Sequence, residues 1–297
     1  MKPILGIIPP ITTPFTPAGD LALDRLTENL QKYMTFDLSG FLILGSNGEA
    51  VSMNTDEKMR VLETARKAIP PDRIMMAGTG CQSTRDTIHL CKEAAAAGAD
   101  CVLVLNPSYY KGNLTVTALE QHYVKVAEAS PLPVFIYNMP VATGIDLETG
   151  LIIRLSEHPN IIGIKDSSGN ITKIGDVIKH TDPAFTVLSG SAGALLASLL
   201  LGAEGGIVAF ANIAPQKCVD LYEWFHSGKL QNARQLQLEI IHLNTMVTRT
   251  HGVPALKAVM DMLGFYGGPP RSPLLPVDEA LRIQLESALI EAGIKPI

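Results

Sequence analysis

Ile161-Ile162-Gly163-Ile164-Lys165-Asp166-Ser167-Ser168-Gly169-Asn170 is an apolar run that ends on a lysine and passes into a polar turn. A short apolar run bounded by turn residues reads as a strand buried on both faces, the kind found in parallel sheets. Lys165 then stands at the mouth of a sheet among apolar neighbours. Desolvation at such a place disfavours the ammonium, and a neutral amine can attack a ketone to form a Schiff base. The alternative is a lysine that snorkels to the surface and pairs with Asp166.

Two other runs end in the same manner. Pro133-Val134-Phe135-Ile136-Tyr137-Asn138-Met139-Pro140 places the Tyr137 phenol at a strand terminus. A structural hydrogen bond is the plain alternative to chemistry there, because buried tyrosine hydroxyls normally find a partner. Phe41-Leu42-Ile43-Leu44 runs into Gly45-Ser46-Asn47-Gly48-Glu49. Exposed backbone N–H groups and a hydroxyl in such a loop suit a carboxylate, although the loop by itself is most often just a turn. On one rim of a barrel, the three strand ends would converge on a single pocket.

The strand-and-turn pattern recurs along the chain. Strands are expected at 5–11, 41–44, 74–77, 101–105, 134–137, 161–165, 186–189 and 206–210. Helical segments fall between them at 24–34, 56–68, 85–97, 117–129, 148–157, 174–180, 194–201 and 215–225. Asn54-Thr55-Asp56-Glu57 and Ser83-Thr84-Arg85-Asp86 look like capped helix starts with acidic first turns, and Gly98 and Gly202 like helix stops. This alternation over roughly 225 residues predicts an α/β fold of the (β/α)₈ TIM-barrel type. The rival, a doubly wound sheet, would carry a glycine-rich dinucleotide fingerprint after an early strand, and none is present. After Ser227-Gly228 the alternation stops, and helices are expected at 229–246, 253–263 and 278–292. The expected division is therefore a barrel over residues 1–226 and a C-terminal three-helix extension over 227–297, packed on the barrel.

Bulk properties narrow the function. The 297 residues are 46% hydrophobic and 18% charged, enough for a sizeable core and unlike a disordered chain. A net charge of −5 and the lack of a basic run give no footprint for nucleic acid. No apolar stretch is long enough to span a bilayer. Met1-Lys2-Pro3 passes at once into strand-like sequence, which leaves no room for a leader peptide and points to a cytoplasmic protein. Cys81, Cys91, Cys101 and Cys218 form no CxxC pair, no metal-ligand spacing involves them or the seven histidines, and all four are expected to be reduced thiols.

On Gly45-Ser46-Asn47-Gly48-Glu49, Tyr137-Asn138-Met139-Pro140 and Gly163-Ile164-Lys165-Asp166-Ser167-Ser168, the chain resembles the dihydrodipicolinate synthase and N-acetylneuraminate lyase family over essentially its whole length. Pro107-Ser108-Tyr109-Tyr110 and Ser189-Gly190-Ser191-Ala192-Gly193 add to the likeness. The resemblance implies a class I aldolase or lyase that forms a pyruvate-type Schiff base on Lys165 and uses Tyr137 as proton shuttle. It implies that Ser46 relays protons between Tyr137 and Tyr110, and that Tyr110 reaches into a neighbouring subunit of a homotetramer, a dimer of dimers. It also implies that Asn47 and the backbone around Ser46 bind the pyruvate carboxylate and that Gly190 and Ile207 line the pocket. Ser167, one strand step past Asp166, is positioned to touch the aldehyde half of the substrate. The iminium would carry the chemistry, so the resemblance calls for no cofactor and no metal, and for a small-molecule 2-oxo acid as the partner.

The departures bear on specificity. Dihydrodipicolinate synthases carry an arginine where Ala142 stands, and it grips the carboxylate of aspartate semialdehyde; alanine cannot. Sialic-acid lyases carry acidic residues where Ala192 and Gly193 stand, to hold a polyhydroxy tail. With Gly252-Val253-Pro254-Ala255-Leu256-Lys257 and Gly267-Gly268-Pro269, the chain is most similar to the 4-hydroxy-2-oxoglutarate aldolase branch, with 2-keto-3-deoxy sugar-acid aldolases close by. A dihydrodipicolinate synthase and a non-catalytic sugar-acid-binding regulator are the alternatives. For a second substrate carboxylate, Ser167 and Asn138 are the expected binders.

Overall fold

Apolar residues that alternate between two separate cores build the barrel. The computed structural model describes residues 4–296; Met1–Pro3, on which the expectation about the chain's start rests, and Ile297 lie outside the described residues. Eight parallel strands, β1 (Gly6–Ile8), β2 (Gly40–Ile43), β3 (Ile74–Gly78), β4 (Cys101–Leu105), β5 (Val134–Asn138), β6 (Ile161–Asp166), β7 (Thr186–Ser189) and β8 (Gly205–Ile207), form one sheet in which β2 to β8 pair in chain order and β1 pairs with β8. The seam between β1 and β2 is joined just past β1, where the Leu42 N–H donates to Pro9 O and the Ile11 N–H donates to Leu42 O. This closes the (β/α)₈ barrel.

Cys101 and Leu103 of β4 and Phe135 and Tyr137 of β5 point inward to an interior cluster with Ile8, Leu42, Met76, Leu188 and Ile207. The residues between them, Val102, Val104, Val134 and Ile136, point outward to the helices. The two-residue period of a strand makes this sorting. Gly163 of β6 has a role in it: a Cβ there would come within 2.3 Å of the Phe135 ring, so the absent side chain lets that phenyl fill the interior.

The helices that cover the barrel are α1 (Leu23–Tyr33), α2 (Thr55–Ala68), α3 (Thr84–Ala96), α4 (Val116–Ala129), α5 (Pro140–Thr143), α6 (Thr149–Ser156), α7 (Ile171–His180), α8 (Leu195–Leu200) and α9 (Pro215–His226). The Asn54 cap of α2 is a complete capping box with Glu57, and Ser83 caps α3. Three more helices follow, α10 (Leu230–Thr245), α11 (Gly252–Met262) and α12 (Glu279–Glu291). The buried Gln237 amide of α10 accepts from the Leu196 N–H and donates to Ala192 O, which fixes α10 against the segment after β7.

Three details differ from the sequence expectation. The first strand is three residues long instead of 5–11, because Pro9 and Pro10 have no N–H to continue a ladder. The last strand ends at Ile207, and Ala209–Asn212 is a 3₁₀ turn. The first helix of the extension is followed by a π-helical turn, Met246–Thr250, where an unbroken helix ending at 246 was expected. Cys91, Cys101 and Cys218 are buried free thiols, and burial pushes each of them up.

Candidate active site

Tyr137 and Lys165 are register partners on β5 and β6, so both side chains leave the sheet on the interior face at its C-terminal end. The Lys165 Nζ lies 4.3 Å from the centroid of the Tyr137 ring, and Lys165 is 3% exposed. Lys165 has no carboxylate within ion-pair distance among the described residues. The alternative of a snorkelling lysine paired with Asp166 is therefore not what the chain adopts.

Asp166 is occupied elsewhere. It accepts from the Asn138 amide at 2.7 Å and from the Ser168 N–H at 2.9 Å. Asn138 also donates to Asp146 and accepts from the Leu147 N–H, and Asp146 pairs with the buried Lys173. This network ties the exits of β5 and β6 together. It also removes Asn138 as a binder of a second substrate carboxylate: its amide groups are spent on the protein and it is fully buried. The correction follows from burial, which the residue's place at a strand end did not disclose.

Ser46 and Asn47 sit on a 3₁₀ turn, Ser46–Gly48, directly after the β2 exit. The Ser46 hydroxyl lies 3.4 Å from the Met139 Sδ, and the Tyr137 hydroxyl lies 2.7 Å from the same sulfur. Met139 thus stands between the two hydroxyls expected to share a proton. Glu49, the last residue of that loop, takes a left-handed backbone conformation (φ 54°) and turns its carboxylate inward. It is 2% exposed and pairs with the Lys257 Nζ of α11 at 2.6 Å. It also accepts from the Arg271 N–H at 2.7 Å. Lys257 donates to Pro269 O as well, and burial pulls its pKa down against the raising effect of Glu49.

A cavity of about 280 Å³ opens over Lys165 and Tyr137. Ser46, Asn47, Ser167 and Gly190 line it, as do Asn244, Thr248 and Arg249 from the C-terminal extension. Gly190 is closely packed, because a Cβ would sit 2.8 Å from the backbone Asp166 O and 1.9 Å from the Ser167 Oγ. Ile207 does not line the cavity; it is fully buried in the interior cluster with Tyr137. A second cavity lies on the other side of Ser46 and Tyr137, walled by Leu44, Cys81, Leu103 and Leu105. Tyr110 is outside both cavities, 72% exposed, with its ring edge-on to Tyr109. The structure brings Lys165, Tyr137, Ser46, Asn47, Ser167 and Gly190 to one place and leaves Tyr110 and Ile207 out of it. Asn244, Thr248 and Arg249 had no signal in the sequence beyond their position just before the Gly252–Lys257 motif. Among the described residues no group of three His, Cys, Asp or Glu side chains could hold a metal ion, and no helix is long and apolar enough to cross a membrane.

The model of the dihydrodipicolinate synthetase family matches residues 3–292. This chain belongs to that family. It is 35% identical over 292 residues, 97% of this chain and 94% of the relative, to the probable mitochondrial 4-hydroxy-2-oxoglutarate aldolase of Emericella nidulans. It is 36% identical, over 97% of this chain and 99% of the relative, to the 4-hydroxy-tetrahydrodipicolinate synthase of Methanoculleus marisnigri. The solved dihydrodipicolinate synthase of Bacillus anthracis superposes with a TM-score of 0.94 at 26% identity, covering 98% of this chain and 99% of that one.

As a member of the dihydrodipicolinate synthetase family the protein is a carbon–carbon lyase of the class I aldolase type. The place where synthases of the family were expected to carry an arginine is here Ala142, an exposed residue on α5 next to Val141 of the cavity wall. Ala192 also lines the cavity, so that wall holds no acidic side chain.

Proposed function

We propose that the protein cleaves 4-hydroxy-2-oxoglutarate, or a similar short 2-keto-3-deoxy acid, to pyruvate and an aldehyde by way of a Schiff base on Lys165. The observation that carries this reading is the buried Lys165 amine, with no carboxylate partner among the described residues and set 4.3 Å from the Tyr137 ring at the floor of a cavity. A lysine at this place can act as the nucleophile that forms a Schiff base with a 2-oxo acid. Its nitrogen adds to the C2 carbonyl, and loss of water gives an iminium. The Tyr137 phenolate takes the proton of the 4-hydroxyl, and the C3–C4 bond breaks. Its electrons pass into the iminium, the aldehyde leaves, and a pyruvate enamine remains. Protonation at C3 and hydrolysis release pyruvate and restore the amine.

In this scheme Asn47 and the backbone N–H groups around Ser46 hold the substrate's C1 carboxylate, and Ser167 faces the aldehyde half. Passage of the Tyr137 proton to Ser46 requires the Met139 thioether, which cannot carry a proton, to move from between the two hydroxyls. The cavity behind Ser46 and Tyr137 has room for a tyrosine of another subunit, and Tyr110, exposed on its loop, is the residue that would fill the equivalent space in a neighbour. We therefore propose a homotetramer built as a dimer of dimers, acting in the cytoplasm. Light scattering tests the assembly: a fully active particle of one chain mass refutes it. The relatives named as synthases favour a second reading, condensation of pyruvate with aspartate semialdehyde, which the alanine at position 142 argues against.

Borohydride reduction in the presence of pyruvate tests the chemistry. A reduced pyruvyl group is expected on Lys165 alone. No adduct, or an adduct on Lys111 or on another buried lysine such as Lys257, overturns the reading.

A further inference from the structure

The wall that the C-terminal extension adds to the cavity has a charge that the proposed mechanism leaves unused. Lys165 and Arg249 are the two cations among the cavity-lining residues, and no aspartate or glutamate lines it. Arg249 lies on the π-helical turn Met246–Thr250 and has neither a carboxylate partner nor a side-chain hydrogen bond among the described residues. Arg271, by comparison, is fully engaged with Glu57 and Gly19. One turn before Arg249, Asn244 is 4% exposed, lines the same cavity, and has no donor for its buried Oδ1. That oxygen is an acceptor, so it calls for a donor such as a substrate hydroxyl or water and does not itself hold a carboxylate. Thr248 sits between the two, its hydroxyl donating back to Asn244 O.

We infer that Arg249 forms a subsite for the distal carboxylate of a 2-oxo diacid, while the neighbouring Asn244 Oδ1 is free to accept from a substrate hydroxyl. The inference rests on the proposed aldolase reaction and selects within it a dianionic substrate over a neutral-tailed one. A guanidinium presents a planar fork that matches a carboxylate, and a cavity with no acid on its walls does not repel one. The subsite also answers how the diacid is held in a chain with alanine at position 142: the cation comes from the C-terminal extension instead of from the segment after β5. The π-helical turn is suited to this, since one extra residue per turn re-aims the side chain that follows α10.

The test compares 4-hydroxy-2-oxoglutarate with 4-hydroxy-2-oxopentanoate, which has a methyl group where the diacid has its second carboxylate. Both yield pyruvate, so one coupled assay reads both. The wild-type protein is expected to favour the diacid, and Arg249→Met to lower the ratio of the two kcat/KM values by about 10- to 100-fold, the size of a lost charge-assisted hydrogen bond. Arg249→Lys, which keeps a charge but not the fork, is expected to fall between them. Arg249 is exposed, so thermal unfolding of the variants serves as the check on folding. A wild-type protein that traps pyruvate on Lys165 but does not favour the diacid overturns the subsite and leaves the aldolase reading standing. So does an Arg249→Met variant with the wild-type ratio. Failure to trap pyruvate at all overturns the aldolase reading itself.

Discussion

Glu49 and Lys257 form an ion pair at 2.6 Å in which both side chains are almost wholly buried, although the residues lie at opposite ends of the chain. Glu49 closes the loop that carries Ser46 and Asn47, and Lys257 belongs to α11 of the extension. The pair fixes the loop from below, and Phe15 packs its ring against both Lys257 and Arg271. Removing one partner of a buried pair strands the other's charge. Lys257→Met is therefore expected to destabilise the fold by about 3–5 kcal/mol, and the double variant Glu49→Gln/Lys257→Met by clearly less. Urea unfolding of the two variants checks this; equal losses in both would show that the pairing is not what stabilises the loop.

The strands and their order were legible because each is a short apolar run with turn residues at its end, and Tyr137 and Lys165 could be placed on adjacent strand ends from that pattern alone. The Glu49–Lys257 pair was not legible, because nothing local marks a partner some two hundred residues away. Arg249 was missed for a related reason: a lone arginine after a helix looks like a surface charge until the fold shows which wall it stands on. Asn138 was placed correctly at a strand end but given the wrong task, since only its three-dimensional neighbours Asp146, Asp166 and Leu147 show that its amide is already engaged.

Tyr137→Phe keeps the ring that faces Lys165 and removes the hydroxyl that contacts Met139. General acid–base groups contribute about 10²–10⁴-fold, so kcat for retro-aldol cleavage is expected to fall by at least 10²-fold. KM should change little if the ring's packing is kept. Single-turnover measurement of pyruvate release provides the check, and turnover near that of the wild type would assign the proton transfer to another group.

His122 of α4 is buried, and burial lowers its pKa from 6.5 to about 4. Its Nδ1 lies 2.9 Å from the Thr84 hydroxyl, and its Nε2 has no partner. Below pH 6.5 the unfolded chain takes up a proton that the folded chain refuses until about pH 4, so stability is lost as pH falls through that window. The full effect is roughly 3 kcal/mol at most. His122→Asn is expected to flatten the pH dependence of the urea midpoint between those limits. An unchanged slope would place the acid sensitivity in carboxylates instead.

Ala142→Arg tests the specificity assignment from the other side. Position 142 is exposed on α5, beside Val141 of the cavity wall, so a longer side chain has solvent to extend through and no core to disturb. An arginine there would offer the carboxylate of aspartate semialdehyde the fork that alanine lacks. Condensation of the semialdehyde with pyruvate is expected to gain about 10-fold or more in kcat/KM, in line with one charge-assisted contact. Pyruvate consumption with and without the semialdehyde measures it. The unmodified protein should run this condensation far more slowly than it cleaves 4-hydroxy-2-oxoglutarate. Efficient condensation by the unmodified chain would mean that another cation already grips the semialdehyde, and it would return the protein to the synthase reading.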